Sequence, residues 1–316
     1  MPSHTPPAST AAPQVAVLLA TYNGRRWLPE QLASILDQDG VAVRVIALDD
    51  ESTDGTHEWL LEQAKSDPRI TVLPRQGASG SAAANFYRLL RSATTGDSEL
   101  VAFADQDDVW LPGKLARHAQ LLAEKNSDGV SSNVTSFTAS GTRTLVRKNY
   151  PQRRFDYLLE SPGPGSTFLL TPRLARLVRN ILDADDGLAL GADYHDWLIY
   201  ALCRARGWGW FIDDTPSVDY RQHEHNAMGA NVGVGSGLSR LALIRQHWHR
   251  NQAILLTRIA LDVADDEQRA GLQRMFDLFT SRGTRARLAL ARRSGQLRRR
   301  PRDRQLIGLL IATGIW

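Results

Sequence analysis

The sequence of 316 residues predicts an α/β protein with a Rossmann-like, mostly parallel central sheet and a basic helical extension after it. Short apolar runs alternate with helical patterns through residues 15–125, and this alternation is typical of parallel sheets covered by helices. Three of the runs end in clusters of polar side chains. In open α/β sheets ligands bind beyond the carboxyl ends of the strands, so these clusters predict the ligand-binding edge.

Four apolar runs in the first 125 residues are each too short for a helix and suit buried parallel strands. The predicted strands are Val15–Ala20, Val43–Leu48, Ile70–Leu73 and Leu100–Ala104. Between and after them, apolar residues with helical spacing predict helices near residues 27–35, 59–61, 86–90 and 114–125.

The alternation becomes less regular after residue 125. We expect strands over residues 130–137, 167–171, 208–212 and 217–220, helices over 173–182 and 193–206, and a polar loop or hairpin over 141–148. A glycine-rich polar loop over 222–237 precedes a helical region. The predicted organisation is a disordered tail (1–14), a globular domain (15–237, with halves 15–125 and 126–237) and an arginine-rich helical extension (238–316).

Composition excludes several classes of protein. Cys203 is the only cysteine, so neither a disulfide framework nor a cysteine metal cluster is expected. Residues 1–14 lack the basic start and apolar core of a signal peptide, and no apolar run approaches membrane-spanning length. The Gly77–Gly80 loop lacks the spacing of a P-loop or a dinucleotide fingerprint, which disfavours a kinase-type ATP site and NAD.

Charge is unevenly distributed along the chain. Residues 281–304 carry ten arginines against Asp303, a local net charge of +9, whereas the whole chain carries +4 and the remainder therefore −5. A basic segment of this kind binds anionic lipid, nucleic acid or an acidic partner, or it is a solvated helical surface. We found no nucleic-acid recognition motif, and we expect contact with an anionic membrane surface through residues 281–316, with the apolar residues 306–316 entering the interface.

Three carboxylates follow the fourth predicted strand: Asp105, Asp107 and Asp108. Asp105 and Asp107 are two residues apart, so in extended chain they face the same way. Two facing carboxylates repel each other unless a cation lies between them, and Mg²⁺ is typically held by one or two carboxylates plus substrate phosphates. The alternative is a solvated acidic turn that caps the next helix. The segment alone does not separate these interpretations.

Taken together, three motifs resemble family 2 glycosyltransferases of the GT-A (nucleotide-diphospho-sugar transferase) fold, over about residues 14–235. Two further segments resemble the rhamnosyltransferase-like branch, although Glu224 replaces the glycine usual there. The three motifs are Ala20-Thr21-Tyr22-Asn23-Gly24, Asp49-Asp50-Glu51-Ser52-Thr53-Asp54-Gly55-Thr56 and Ala104-Asp105-Gln106-Asp107-Asp108-Val109-Trp110, and the two segments are His195-Asp196-Trp197 and Tyr220-Arg221-Gln222-His223.

The resemblance implies roles for individual residues. Asp196 would be the general base. Chemistry alone leaves Asp193 as an alternative base, and either aspartate could instead be a surface carboxylate without a catalytic role. Asp105, Asp107 and His223 would hold Mg²⁺ or Mn²⁺, and the plain interpretation of His223 is a solvated loop histidine. The donor-binding residues would be Thr21, Tyr22, Asn23, Asp49, Asp50, Arg75, Asn85, Asp105 and Gln106.

The implied activity is transfer of one sugar, with inversion, to a bacterial surface or cell-wall polysaccharide. The expected donor is dTDP-rhamnose, with a UDP-hexose as the alternative, and the acceptor is a glycan or a lipid-linked glycan. The enzyme would be cytoplasmic, peripheral on the inner face of the cytoplasmic membrane. A nucleotidyltransferase also uses paired carboxylates and a metal, and a non-catalytic nucleotide-sugar-binding scaffold is the non-enzymatic alternative. We also expect the loop over 222–237 to close over the bound donor.

Overall fold

A computed structural model describes residues 11–97, 99–184, 186–222 and 247–316. Residues 1–10 of the predicted tail (1–14) lie outside the described residues, and so do His223 and most of the glycine-rich loop, whereas Gln14 already begins the first strand. The strands are β1 (Gln14–Thr21), β2 (Ala42–Asp49), β3 (Ile70–Val72), β4 (Leu100–Ala104), β5 (Val109–Trp110), β6 (Gly129–Ser132), β7 (Val134–Thr138), β8 (Arg143–Val146), β9 (Leu169–Leu170), β10 (Trp210–Asp213) and β11 (Val218–Gln222).

Helices connect these strands and form the C-terminal part of the described chain. They are α1 (Leu28–Leu36), α2 (Thr56–Ser66), α3 (Ala82–Ser92), α4 (Lys114–Glu124), α5 (Pro172–Leu182), α6 (His195–Ala205), α7 (Trp248–Val263), α8 (Asp266–Thr280), α9 (Thr284–Ala291) and α10 (Pro301–Thr313). Among the described residues, none of the helices is both long and apolar enough to cross a membrane.

The main sheet has seven strands in the order β10-β6-β9-β4-β1-β2-β3. All neighbours are parallel except β9, which runs antiparallel to both β4 and β6. β1 and β4 are nearly continuous apolar segments because helices cover both faces of the sheet. The predicted mostly parallel α/β sheet is therefore confirmed.

The register of the parallel strands brings the polar clusters together. Thr21 at the end of β1 lies opposite Asp49 at the end of β2, and Leu19 lies opposite Ala104 at the end of β4. The residues that follow these strands consequently meet at one edge of the sheet.

A second, four-stranded sheet has the order β5-β11-β7-β8. β5 directly follows residues 105–108, which we call the acidic segment. β11 pairs antiparallel with β5, and β11 therefore carries Arg221 to the same edge of the main sheet. Of the loop or hairpin expected over residues 141–148, the hairpin is confirmed, because β8 pairs antiparallel with β7.

The C-terminal helices pack against the globular domain through a shared hydrophobic core. The expectation that residues 306–316 enter a membrane is corrected in part, because Ile307, Ile311 and Trp316 are buried in this core. Only Leu306, Leu309 and Ile315 are large exposed apolar side chains in that segment. The segment is therefore a structural part of the fold as well as a surface.

Candidate active site

The acidic segment after β4 forms the floor of the candidate site. Asp105 and Asp107 are partly exposed, whereas Asp108 is buried and accepts a hydrogen bond from the backbone N–H of Arg221 at 3.3 Å. Removal from bulk water, with the charges of Asp107 and Asp196 nearby, raises the pKa of Asp105 to about 7. Burial, again with neighbouring carboxylates, raises the pKa of Asp108. The segment concentrates negative charge where a cation would relieve it.

The donor set fits a hard divalent ion that shares its ligands with a substrate. Asp105 and Asp107 offer carboxylate oxygens, the ligand type that both Mg²⁺ and Mn²⁺ prefer. Among the described residues, no three His, Cys, Asp or Glu side chains converge into a complete metal site. Two carboxylates therefore need oxygens from elsewhere, and a diphosphate supplies them.

Lys114, which the sequence analysis missed, lies beneath this segment. Its side chain is buried, its Nζ donates to the Ser166 carbonyl at 2.6 Å, and it lies 3.0 Å from the centre of the Trp110 ring. Burial lowers the pKa of Lys114, and the charges of Asp108 and Asp105 oppose that shift. The ammonium group thus balances part of the acidic charge from below.

Gln106 joins the acidic segment to the end of β1. The Tyr22 N–H donates to Gln106 Oε1 at 2.7 Å, and Gln106 Nε2 donates to the Tyr22 carbonyl at 2.8 Å. The amide lies so close to Gly24 that a Cβ there would be 2.1 Å from Gln106 Oε1. Gln106 therefore links two loops through its side chain, while the Tyr22 side chain is 58% exposed at the same edge.

Asp49 is the centre of a hydrogen-bond network at the end of β2. Its carboxylate accepts from the Thr21 hydroxyl at 3.1 Å, the Ser52 N–H at 3.0 Å and Arg75 Nε at 3.0 Å. The Ser52 hydroxyl in turn accepts from the N–H of Asn23 at 2.8 Å. Asp49 is buried, so it fixes the positions of Thr21 and Arg75.

Asp50 and Asn85 are also buried and bind protein groups. The Asp50 carboxylate accepts from the N–H and hydroxyl of Ser79, which lies in the loop before α3. Asn85 Nδ2 donates to the Leu48 carbonyl at 3.3 Å and to the Thr21 carbonyl at 3.4 Å. The structure thus brings the residues predicted to bind the donor to one edge, and most of them build its walls.

Asp196 lies in the first turn of α6, next to His195, whose ring centroid is 5.6 Å from that of Phe103 on β4. Its Oδ1 accepts from the Trp197 N–H at 2.6 Å, and its Oδ2 lies 3.0 Å from the Ser161 hydroxyl. Burial raises the pKa of Asp196 to about 6, against the effect of these hydrogen bonds and of the Lys148 charge. The charge of Asp196 also contributes to the raised pKa of Asp105, so the two carboxylates interact electrostatically.

The structure separates Asp193 from Asp196. α6 begins at His195 and not at residue 193 as expected, so Asp193 lies before the helix and Asp196 lies in its first turn. The Asp193 carboxylate accepts a hydrogen bond from the Trp248 indole N–H at 2.5 Å. Asp193 therefore anchors the start of α7, whereas Asp196 contacts Ser161.

His195 supports the position of Asp196 from the core. It is buried, its ring centroid lies 4.1 Å from that of Phe86, and burial lowers its pKa to about 3. A Cβ on Gly165 would lie 2.1 Å from His195 Nε2, so this close approach requires glycine at position 165. His195 is therefore a neutral packing residue in the described structure.

Arg221 is a second residue that the sequence analysis did not assign, although it lies within a quoted motif. Its Nε donates to the Asp107 carbonyl at 2.8 Å, and its guanidinium pairs with Glu30 at 2.6 Å. These contacts hold the acidic segment from the side of β11. His223, predicted to contact the metal, lies outside the described residues.

Comparisons with known proteins agree with this geometry. The profile of Glycosyl transferase family 2 matches residues 16–185. A dTDP-rhamnosyl transferase of Shigella flexneri, RfbG, is 34% identical over 94% of this chain and 100% of its own. UDP-Glc:alpha-D-GlcNAc-diphosphoundecaprenol beta-1,3-glucosyltransferase WfgD of Escherichia coli is 26% identical over 50% of this chain and 60% of its own.

Solved structures show the same fold. S. aureus TarS 1-349 in complex with UDP-GlcNAc superposes with a TM-score of 0.57 at 19% identity, covering 96% of this chain and 81% of that chain. The mannosyltransferase PcManGT from Pyrobaculum calidifontis, in complex with GDP-Man and Mn²⁺, gives 0.50 at 19% identity, covering 100% and 84%. The chain has the GT-A-like fold and belongs to Glycosyl transferase family 2, and it is a glycosyltransferase that uses nucleotide-sugar donors.

Proposed function

We propose that this glycosyltransferase moves rhamnose from dTDP-rhamnose to a bacterial surface or cell-wall glycan, in a single displacement with inversion. The supporting observation is the placement of Asp196 directly after His195, whose ring lies 5.6 Å from that of Phe103, two residues before Asp105, together with the effect of the Asp196 charge on Asp105. The acceptor oxygen attacks the anomeric carbon as the bond to the diphosphate breaks, and Asp196 takes the hydroxyl proton. A covalent intermediate is not required, because one base is sufficient for this step.

Asp105 and Asp107 would hold Mg²⁺ or Mn²⁺ against the donor diphosphate, with His223 as a further candidate ligand. The ion would stabilise the negative charge that grows on the leaving diphosphate. The carboxylate donor set supports this role, and PcManGT was solved with Mn²⁺. Lys114 would keep the acidic segment in place through its charge, which is held by the Ser166 carbonyl. Arg221 would do so through its hydrogen bond to the Asp107 carbonyl.

The nucleoside would bind at the shared edge of β1 and β2. There the exposed Tyr22 ring is available to stack on a base, and Arg75, oriented by Asp49, lies at the rim. The similarity to RfbG over its whole length supports dTDP-rhamnose. A UDP-hexose is the alternative donor, since TarS was solved with UDP-GlcNAc. The remaining residues assigned to the donor are Thr21, Asn23, Asp50, Asn85 and Gln106.

The acceptor would be a glycan or a lipid-linked glycan at the inner face of the cytoplasmic membrane. The name of the E. coli relative includes a diphosphoundecaprenol-linked sugar, which supports a lipid-linked acceptor. On this chain, Leu306 and Leu309 are exposed on α10, and five arginines of the basic segment 281–304 are exposed as well. These arginines are Arg282, Arg285, Arg292, Arg300 and Arg302.

Thermal unfolding against dTDP-rhamnose, UDP-glucose, UDP-GlcNAc and GDP-mannose, with Mn²⁺ or EDTA, tests the donor. A ligand that binds only the folded state raises the unfolding midpoint. A rise with dTDP-rhamnose that EDTA abolishes is the expected result. A rise with a UDP-sugar alone would overturn the rhamnosyl donor. In Asp196→Asn we expect the rise to persist while turnover is lost, and retained turnover would overturn the role of the base.

Vesicles of phosphatidylglycerol test the membrane surface. Truncation would remove buried core residues such as Ile307, so substitution of exposed side chains is the cleaner change. We expect Leu306→Ser with Leu309→Ser to weaken vesicle binding of the full chain. Leu145→Ser, at an equally exposed leucine on β8, should leave binding unchanged. Equal binding by both variants would contradict the membrane surface.

A further inference from the structure

Arg299, in the segment between α9 and α10, is a buried arginine. Its side chain is 3% exposed and pairs with the fully buried Asp156 at 3.1 Å and with Glu160 at 3.6 Å. A guanidinium is buried only where carboxylates and carbonyls satisfy its charge and donors. Nine other arginines lie in residues 281–304, so net charge alone would not have singled out this one.

The same side chain contacts the loop that touches Asp196. Arg299 Nη2 donates to the Ser161 carbonyl, and the backbone N–H of Arg299 donates to Glu160 Oε1. The Ser161 hydroxyl in turn lies 3.0 Å from Asp196 Oδ2, and it accepts from the Gly163 N–H at 3.2 Å. An unbroken chain of contacts therefore runs from Arg299 through Ser161 to Asp196.

We propose that Arg299 is a positioning residue for Asp196 and that it acts through Ser161. The inference rests on the proposed function, because it takes Asp196 as the base. The C-terminal helical segment would then complete the active site, in addition to presenting a surface.

The geometry of the base explains why positioning matters. The Trp197 N–H donates to one oxygen of Asp196, and Ser161 Oγ lies 3.0 Å from the other while its hydroxyl also contacts the Gly163 carbonyl. The direction left for an acceptor hydroxyl therefore depends on where Ser161 is held. A shift of a reacting group by about 1 Å costs on the order of a hundredfold in rate. Lysine in place of Arg299 would keep the charge near Asp156, but it lacks the planar fork that also reaches the Ser161 carbonyl.

Hydrogen exchange of the full-length protein tests the first contact without any substrate. In Arg299→Lys we expect amides in residues 156–168 to exchange faster, by about tenfold or more, because a hydrogen bond from a charged donor is lost. Arg117→Lys is the control for the loss of a guanidinium paired with a buried carboxylate, since Arg117, although 48% exposed, pairs with the buried Asp213. Unchanged exchange of this loop in Arg299→Lys, or equal acceleration in Arg117→Lys, would overturn the proposal.

Turnover tests the contact between Ser161 and Asp196. The assay measures release of dTDP from dTDP-rhamnose in the presence of Mn²⁺, with water as the acceptor. We expect Arg299→Lys and Ser161→Ala each to lower kcat by about tenfold with little change in donor KM. The double variant should lose no more than either single variant, because both act on one contact chain. The control variant Arg274→Lys, at an exposed arginine on α8, should keep the wild-type kcat.

The outcomes separate the two proposals. Additive losses, or a wild-type kcat in Arg299→Lys beside an inactive Asp196→Asn, would overturn the positioning role alone. A wild-type kcat in Asp196→Asn would overturn the proposed base and, with it, this inference.

Discussion

Gln106 pairs with the backbone of Tyr22 through two hydrogen bonds of 2.7 and 2.8 Å, in the way that a neighbouring strand would. The acidic segment after β4 is thereby tied to the loop after β1, beyond the point where the strands themselves separate. The amide of Gln106 accepts through Oε1 and donates through Nε2, so both of its ends contribute to this link.

Replacing Gln106 should loosen this link. In Gln106→Ala we expect the free energy of unfolding to fall by about 1–2 kcal/mol and the donor KM to rise, because two backbone groups lose their partner. Chemical denaturation and donor titration measure these effects. Gln120→Ala is the control, since Gln120 is exposed and bonds only within its own helix to Glu124, and it should change stability by less than about 0.5 kcal/mol. Equal effects of the two substitutions would contradict the linking role.

A methyl group at position 165 should displace His195. Because the added Cβ would lie 2.1 Å from His195 Nε2, we expect Gly165→Ala to cost about 1–3 kcal/mol of stability and to lower kcat through the neighbouring Asp196. Gly295→Ala is the control, because a Cβ there meets no atom within 4 Å. Thermal unfolding and dTDP release measure both variants. A Gly165→Ala protein with the stability and kcat of Gly295→Ala would disprove the close contact.

The rate should depend on the protonation of Asp196. Since its pKa is raised to about 6, the carboxylate is ionised above that pH and protonated below it. A protonated carboxyl group cannot take the acceptor proton, so we expect kcat/KM to fall about tenfold per pH unit below about 6. A pH profile of dTDP release in a metal-saturated buffer measures this limb. A profile that stays flat down to pH 4.5 would rule out Asp196 as the titrating base.

Two buried histidines should lower stability in mild acid, against the opposite effect of Asp105 and Asp196, whose raised pKa values of about 7 and about 6 make the folded chain bind more protons there. Burial lowers the pKa of His118 and that of His195 to about 3, well below the unfolded value of 6.5. Below pH 6.5 these histidines therefore bind more protons in the unfolded chain, so their contribution is complete above pH 6.5 and is lost as pH falls toward 3.

Each such histidine adds a slope of up to about 1.4 kcal/mol per pH unit within that window. Urea unfolding between pH 5 and 8, compared with His118→Gln, measures the slope. The substitution should reduce the slope of stability against pH by up to about 1.4 kcal/mol per pH unit, which corresponds to one proton. A change in stability at pH 8 would instead reflect altered packing. An unchanged slope would show that His118 is protonated in the folded protein.

Part of this site was predictable from local sequence. Apolar runs that stop at Thr21, Asp49 and Asp105 predict parallel strands with polar ends, and the parallel register brings those ends together. The resemblance selected Asp196 over Asp193, and the structure supplies a reason in the hydrogen bond between Asp193 and Trp248.

Other parts of the site depend on contacts between distant segments. Lys114 looks like an ordinary helix residue until the Ser166 carbonyl and the Trp110 ring are seen around it. Arg299 and Ser161 are separated by 138 positions, and no local pattern marks either one. Burial of Ile307 and Trp316 likewise follows from packing, because an amphipathic helix has the same pattern on a protein core as on a membrane.

The attachment of the acidic segment on both sides, by Gln106 to Tyr22 and by Arg221 to Asp107, has a consequence for redesign of the enzyme. Asp49 and Asn85 each make several hydrogen bonds to other buried groups at the ends of β1 and β2, so a change in either residue would alter the backbone around the proposed donor site. The Tyr22 side chain is 58% exposed and projects from that frame. Libraries that aim to change the accepted nucleotide would therefore begin at Tyr22, where variation leaves the scaffold intact.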